Sequence, residues 1–199
     1  MILILNLIFT AFFSPAPQYT LIQMGKAIYT PDKIIRIEGI QQNNKNKIIL
    51  KYNKDNRDLI KRGNSLYLEE SEFPLFLKLF FFSNNLTSAI SSEIFSNQLL
   101  LELSSAGIDI KKSTLTVVKL NGEAGISIGK NKRFTSANEL VLYKDTLLPA
   151  TLKLKNLTYR FYDYNKSLKP MTFPGKIDIL QDSKVMETWT FYRKEYYSD

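Results

Sequence analysis

The chain has 199 residues, 44% of them hydrophobic and 13% aromatic, enough for one domain with a sizeable core and too few for two comfortable ones. It holds no Cys and no His, which excludes thiol nucleophiles, Ser-His-Asp triads, imidazole acid–base catalysis, thiolate or imidazole zinc sites, and disulfides. The formal charge of +8 is compatible with nucleic acid or an anionic membrane, but the lysines are dispersed, and the densest group, Lys130, Lys132 and Arg133, falls at a predicted turn.

The first thirteen residues, MILILNLIFTAFF, are apolar and end at Ser14-Pro15-Ala16-Pro17. As a helix they would rise about 20 Å, against a hydrocarbon core of roughly 30 Å. That length reads as a signal-peptide core, with small residues at Ser14 and Ala16 before the cut. Residues 1–18 are therefore assigned to a signal peptide and 19–199 to a single domain, periplasmic or otherwise exported; the alternative is a buried N-terminal strand or helix of the domain.

From Met24 to Glu70 the pattern is strand-like. Lys33–Ile40 and Lys47–Tyr52 are β-branched and partly alternating, and Gln41–Asn46 forms the turn between them. Leu59-Ile60 and Leu66-Tyr67-Leu68 flank a further turn at Arg62-Gly63-Asn64, so an antiparallel meander is expected. The character changes at Phe73-Pro74. Leu75–Phe82 is apolar nearly all round, and Ser91–Ala106 is too long and too continuous for a strand. Two helices are predicted, with Pro74 near the first start, a Ser91 or Ser92 cap, and Gly107 as the stop. A helix apolar on every side is buried on more than one face.

The stretch Gly125–Lys132, GISIGKNK, superficially matches a phosphate-binding loop. Three residues separate its glycines instead of four, Asn131 follows the lysine, and Leu120-Asn121-Gly122-Glu123 upstream is a strong hairpin signal. The stretch is read as a return strand. Thr114–Leu120 and Glu123–Ile128 form that hairpin, followed by strands at Glu139–Tyr143, Ala150–Lys155, Thr158–Tyr164, Lys176–Leu180 and Val185–Tyr192. Leu152 and Leu154 alternate with Lys153 and Lys155, so one face of the sheet is apolar and the other wet.

About eleven antiparallel strands and two apolar helices make a mainly β (α+β) chain: a curved antiparallel sheet forming an incomplete β-barrel with the helices in its concavity. At this point the sequence resembles the outer-membrane lipoprotein carrier (LolA-like) family. The likeness lies in Val141–Pro149 with its Asp145-Thr146 turn, in Ala124–Gly129, in Phe173–Ile179 followed by Val185–Trp189, and more loosely in Pro31–Ile37 and Arg62–Tyr67. The family's N-terminal helix has no counterpart in this reading, because few residues separate the leader from the first strand.

The resemblance implies a non-enzymatic carrier, with no cofactor and no metal, that shields the acyl chains of a lipid or lipoprotein on their way to the outer membrane. It further implies a monomer that exchanges cargo with a membrane-bound donor or acceptor protein, and no nucleic-acid partner. Candidate lining residues are Leu77, Phe80, Phe81 and Ile94 from the helices, and Leu140, Leu142, Leu152, Leu154, Tyr159, Phe161, Trp189 and Phe191 from the sheet. Arg36 matches the arginine that gates the family's helical lid; read without the family, it is a rim arginine paired with Glu38 or Asp32. Two other classes stay open at this stage: an envelope interaction or assembly protein with a filled interior, and a carboxylate enzyme using Asp163 with Asp178 or Glu187.

Overall fold

A computed structural model describes residues 17–28, 34–51, 65–69, 73–81, 98–108, 110, 115–129, 138–164 and 172–196. Among these the chain forms three helices, α1 (Pro17–Ala27), α2 (Leu75–Phe81) and α3 (Gln98–Ser105). Ten strands accompany them: β1 (Ile34–Gln41), β2 (Lys47–Lys51), β3 (Ser65–Glu69), β4 (Thr116–Leu120), β5 (Glu123–Ile128), β6 (Glu139–Tyr143), β7 (Pro149–Leu154), β8 (Leu157–Tyr162), β9 (Lys176–Gln181) and β10 (Lys184–Tyr196).

All ten belong to one open sheet in the order β3-β2-β1-β10-β9-β8-β7-β6-β5-β4. The strands from β4 to β10 form an unbroken antiparallel meander, and β1 closes against β10 through Ile37↔Lys194 and Gln41↔Trp189. Among the described residues, β3 and β4 are therefore the two edges of the sheet. The chain passes from one edge to the other through α2 and α3, which is why the apolar helical region sits in the middle of the sequence.

Two-residue turns fix the register of three of the meander's hairpins, β4–β5, β7–β8 and β9–β10. Asn121 and Gly122 both have positive φ (46° and 98°), as a type I′ hairpin between twisted strands requires, and Leu120 pairs with Glu123. Gly125–Ile128 of the GISIGKNK stretch therefore lies within β5, and the phosphate-loop reading fails on structure as it did on spacing. At Gly39 an added Cβ would stand 2.7 Å from Phe191 Cδ1 and 2.7 Å from the Thr190 carbonyl. The missing side chain lets the Phe191 ring lie across the β1 backbone.

Two expectations need correction. The first is the edge pair: β3 runs parallel to β2, with Lys47 opposite Ser65 and Leu50 opposite Leu68, so the first three strands are not a continuous antiparallel meander. The connection, residues 52–64, has the dozen or so residues that a parallel crossover needs and lies outside the described residues, as do Leu59 and Ile60. The second is the N-terminal helix, which exists. Pro17 opens α1, where its missing N–H costs nothing, and Thr20, Leu21, Met24 and Ile28 are buried at helical spacing. A leader ending at residue 18 and a strand-like pattern from Met24 onward cut this stripe in two.

α3 ends as predicted. Gly107 has φ of +80°, its N–H bonds to the Ser104 carbonyl at 2.9 Å, and the Ile108 N–H bonds to the Leu103 carbonyl at 3.0 Å. This is the Schellman arrangement, with Leu103 and Ile108, both fully buried, as its apolar contact. Asn138 then ties the helix end to the sheet: its amide donates to the Ala106 carbonyl, and its Oδ1 accepts the Lys155 N–H at 2.6 Å. The predicted start of this helix at Ser91 or Ser92 lies outside the described residues.

Candidate functional site

Strand alternation sorts the sheet into two faces. The inner face carries Leu140, Leu142, Leu152, Phe161, Ile177 and Phe191, all in one continuous apolar cluster with the helices. α2 lies against it. Phe76 stacks on Tyr159 with centroids 4.4 Å apart and meets Trp189 edge-on at 5.5 Å, while Phe80 meets Phe161 and Phe173 edge-on at 5.2 Å each. Such offset and edge contacts suit the ring quadrupoles and add to the burial itself.

Eleven of the twelve candidate lining residues fall in this cluster: Leu77, Phe80, Phe81, Leu140, Leu142, Leu152, Phe161, Trp189 and Phe191 as buried members, with Leu154 and Tyr159 packed against them. The twelfth, Ile94, lies outside the described residues. Leu77, Phe80 and Phe161 are 0% exposed, so protein groups fill the space around them. Phe76, Phe173, the α1 residues Leu21 and Met24, and Ile28 just after α1 share the cluster and were not among the candidates. The signal for α1 was present in its spacing of three and four residues.

Two polar atoms are buried in or beside this cluster with no hydrogen-bond partner among the described residues, Trp189 Nε1 and Glu187 Oε1. The aromatic hydroxyls behave differently. Tyr143 donates to the Phe161 carbonyl at 3.1 Å, and Tyr164 donates to the Pro149 carbonyl. Burial pushes the Tyr164 hydroxyl well above the ordinary tyrosine range, with nearby Tyr143 adding to the effect; burial likewise raises Tyr159, and raises Tyr143 with help from Glu123, Tyr162 and Asp163.

Arg36 lies on the strand face opposite Ile37, whose side chain belongs to the apolar cluster. Its guanidinium pairs with Glu38 at 2.6 Å, and Lys47 reaches the other oxygen of the same buried carboxylate at 3.0 Å. Of the carboxylates weighed for catalysis, Asp178 accepts the Thr188 hydroxyl at 2.7 Å and pairs with Lys176 at 3.4 Å. No group of three or more acidic side chains that could hold a metal occurs among the described residues.

The outer face carries two clefts of about 430 Å³ each that share Glu123 and Tyr143. One runs over β7 and β8 beside Thr151, Thr158, Arg160 and Tyr162; the other sits at the β6–β7 turn beside Lys144, Asp145 and Thr146. No described helix is long and apolar enough to cross a membrane. No protein-family model, curated protein or solved structure matches the chain.

Proposed function

We propose that the chain is a periplasmic, non-catalytic carrier whose open sheet curves into an incomplete barrel, and that the inner face accepts the acyl chain of a lipid or lipoprotein when α2 moves aside. One observation carries this reading. A single seven-residue helix, through Phe76 and Phe80, covers the aromatic stripe formed by Tyr159, Phe161, Phe173 and Trp189. An acyl chain of about a dozen methylenes buries enough surface for roughly 10 kcal/mol before ordering costs. The five buried side chains of α2, at about 2 kcal/mol each, amount to the same order. Exchange of helix for lipid is then close to balanced, which is what loading and unloading require. Cleavage of a leader after Ala16 would leave Pro17, the first residue of α1, at the new N-terminus, and Arg36, paired with Glu38 on the face away from the cluster, is read as a rim arginine and not as the gate.

The complete burial of Leu77, Phe80 and Phe161 favours a second reading, an envelope interaction or assembly protein of the same fold with a permanently filled interior. Native mass spectrometry with lipid extraction, on protein purified from the periplasm of a diderm host, separates the two. Co-purifying acyl species are expected for a carrier; a clean protein mass and no uptake of added lipids or lipopeptides supports the filled interior.

A further inference from the structure

The cleft over β7 and β8 is unrelated to the apolar face, and its central side chain is Arg160. In register, Arg160 stands between Thr151 of β7 and Asp178 of β9. Asp178 is the obvious counter-charge, yet its carboxylate is engaged by Thr188 and Lys176. Neither an ion pair nor a hydrogen bond joins the Arg160 side chain to any described residue. By contrast, Arg36, Lys47, Lys78 and Lys176 each have a carboxylate oxygen at 2.6–3.4 Å. Arg160 is also half-buried, so a partner bound there would take the place of solvent.

The surroundings indicate what would replace it. Thr151, Thr158 and Tyr162 bring hydroxyl groups to the cleft, and Lys119 brings a second positive charge. Glu123, the one carboxylate among the lining residues, is exposed. Leu120 and Ala150 supply an apolar wall, and a space of about 430 Å³ exceeds what a bare inorganic ion fills. Guanidinium groups favour planar or tetrahedral oxyanions, which they grip with two parallel N–H bonds.

The geometry points to an oxyanion-binding site on the outer face, in which Arg160 grips a phosphate ester or carboxylate carried on a short organic stem. The ligand is either a soluble molecule or an anionic lipid headgroup. The test follows the Arg160 side-chain Nε–Hε signal by NMR, identified by its loss in Arg160→Gln, while phenyl phosphate or benzoate is added. Saturable movement is expected, with affinity about tenfold weaker or more in Arg160→Gln, the size of one charge-assisted contact, and intermediate in Arg160→Lys. A parallel arm compares vesicles of phosphatidylglycerol with vesicles of phosphatidylcholine. Preference for phosphatidylglycerol that disappears in Arg160→Gln assigns the site to a headgroup, whereas phenyl phosphate or benzoate binding without vesicle preference assigns it to a soluble ligand. Absence of both responses, or binding by Arg160→Gln equal to that of the unaltered chain, overturns the proposal. The amide spectrum of Arg160→Lys checks that the fold is retained.

Discussion

Lys78 of α2 places its ammonium 2.8 Å and 2.9 Å from the two carboxylate oxygens of Glu102 of α3, joining the two apolar helices through a partly buried ion pair. The pair is local to the helices and lies away from the aromatic contacts that α2 makes with the sheet. If α2 is the movable cover of the inner face, this link holds it to its neighbour.

Lys78→Met should therefore have a small effect on stability and a larger one on access. The expected loss is about 1 kcal/mol or less, the usual scale for a pair that keeps some solvent contact. Hydrogen exchange of the α2 amides should accelerate by more than global unfolding explains. Urea denaturation together with native-state exchange checks both parts.

Phe80→Ala removes a ring that touches Phe161 and Phe173 from a position with no exposure, and should cost about 3–5 kcal/mol. In a carrier the same truncation leaves room where an acyl chain lies, so added lipopeptide should recover part of the lost stability. Thermal unfolding with and without lipopeptide measures this, and a filled-interior protein would show the loss without recovery.

At the end of α3, Asn138→Ala leaves the Ala106 carbonyl and the Lys155 N–H without their shared partner, for a loss of about 1–2 kcal/mol. Gly107→Ala should lose a similar amount, since a side chain at φ +80° is strained and its Cβ would stand 3.2 Å from Asn138 Nδ2. Equilibrium denaturation should show the double variant losing less than the two single losses combined, because both changes act on one junction.

Alkaline pH gives a fourth outcome. The buried hydroxyls of Tyr164, Tyr143 and Tyr159 are all held above their ordinary value of about 10, so in the folded chain they stay protonated where the unfolded chain ionises. The unfolded state then binds fewer protons, and stability falls as pH rises. Their contribution should be intact below pH of about 10 and decline above it, by at most about 1.4 kcal/mol per pH unit for each tyrosine. Tyr164→Phe, which cannot ionise, should flatten the decline seen in urea midpoints across this range.

The sheet was legible in the sequence wherever local chemistry sets local structure. Asn121-Gly122 allows little except a tight hairpin, and alternation in Thr116–Leu120, Glu123–Ile128 and Leu157–Tyr162 follows from a sheet with one apolar face. The Gly107 stop was legible for the same reason. Non-local facts were not. Nothing within Ser65–Glu69 states that it pairs parallel to β2, and nothing near β10 states that β1 is its neighbour. α1 was missed although Leu21 and Met24, with Ile28 just beyond its end, stand at helical spacing, because its first two residues fell to the leader and Met24 onward reads as strand. On the inner face, hydrophobic pattern identified the cluster members but not their density: Phe76 lies within the predicted helix Leu75–Phe82 without being among the lining candidates, and Phe173 stands just before the predicted strand Lys176–Leu180. Arg160 escaped notice because a lone arginine on a wet face becomes informative only when Asp178 is seen engaged elsewhere.

Trp189 offers the most direct test of acyl binding. It is the chain's single tryptophan, it lies on the inner face, and its ring sits 5.5 Å from Phe76 of the proposed cover. Titration with a lipopeptide whose acyl chain carries bromine, which quenches indole fluorescence on contact, reports whether that chain enters beneath α2. The account predicts saturable quenching below the concentration at which the lipopeptide forms micelles, and competition by the same lipopeptide without bromine. Undiminished Trp189 fluorescence throughout that range would contradict it.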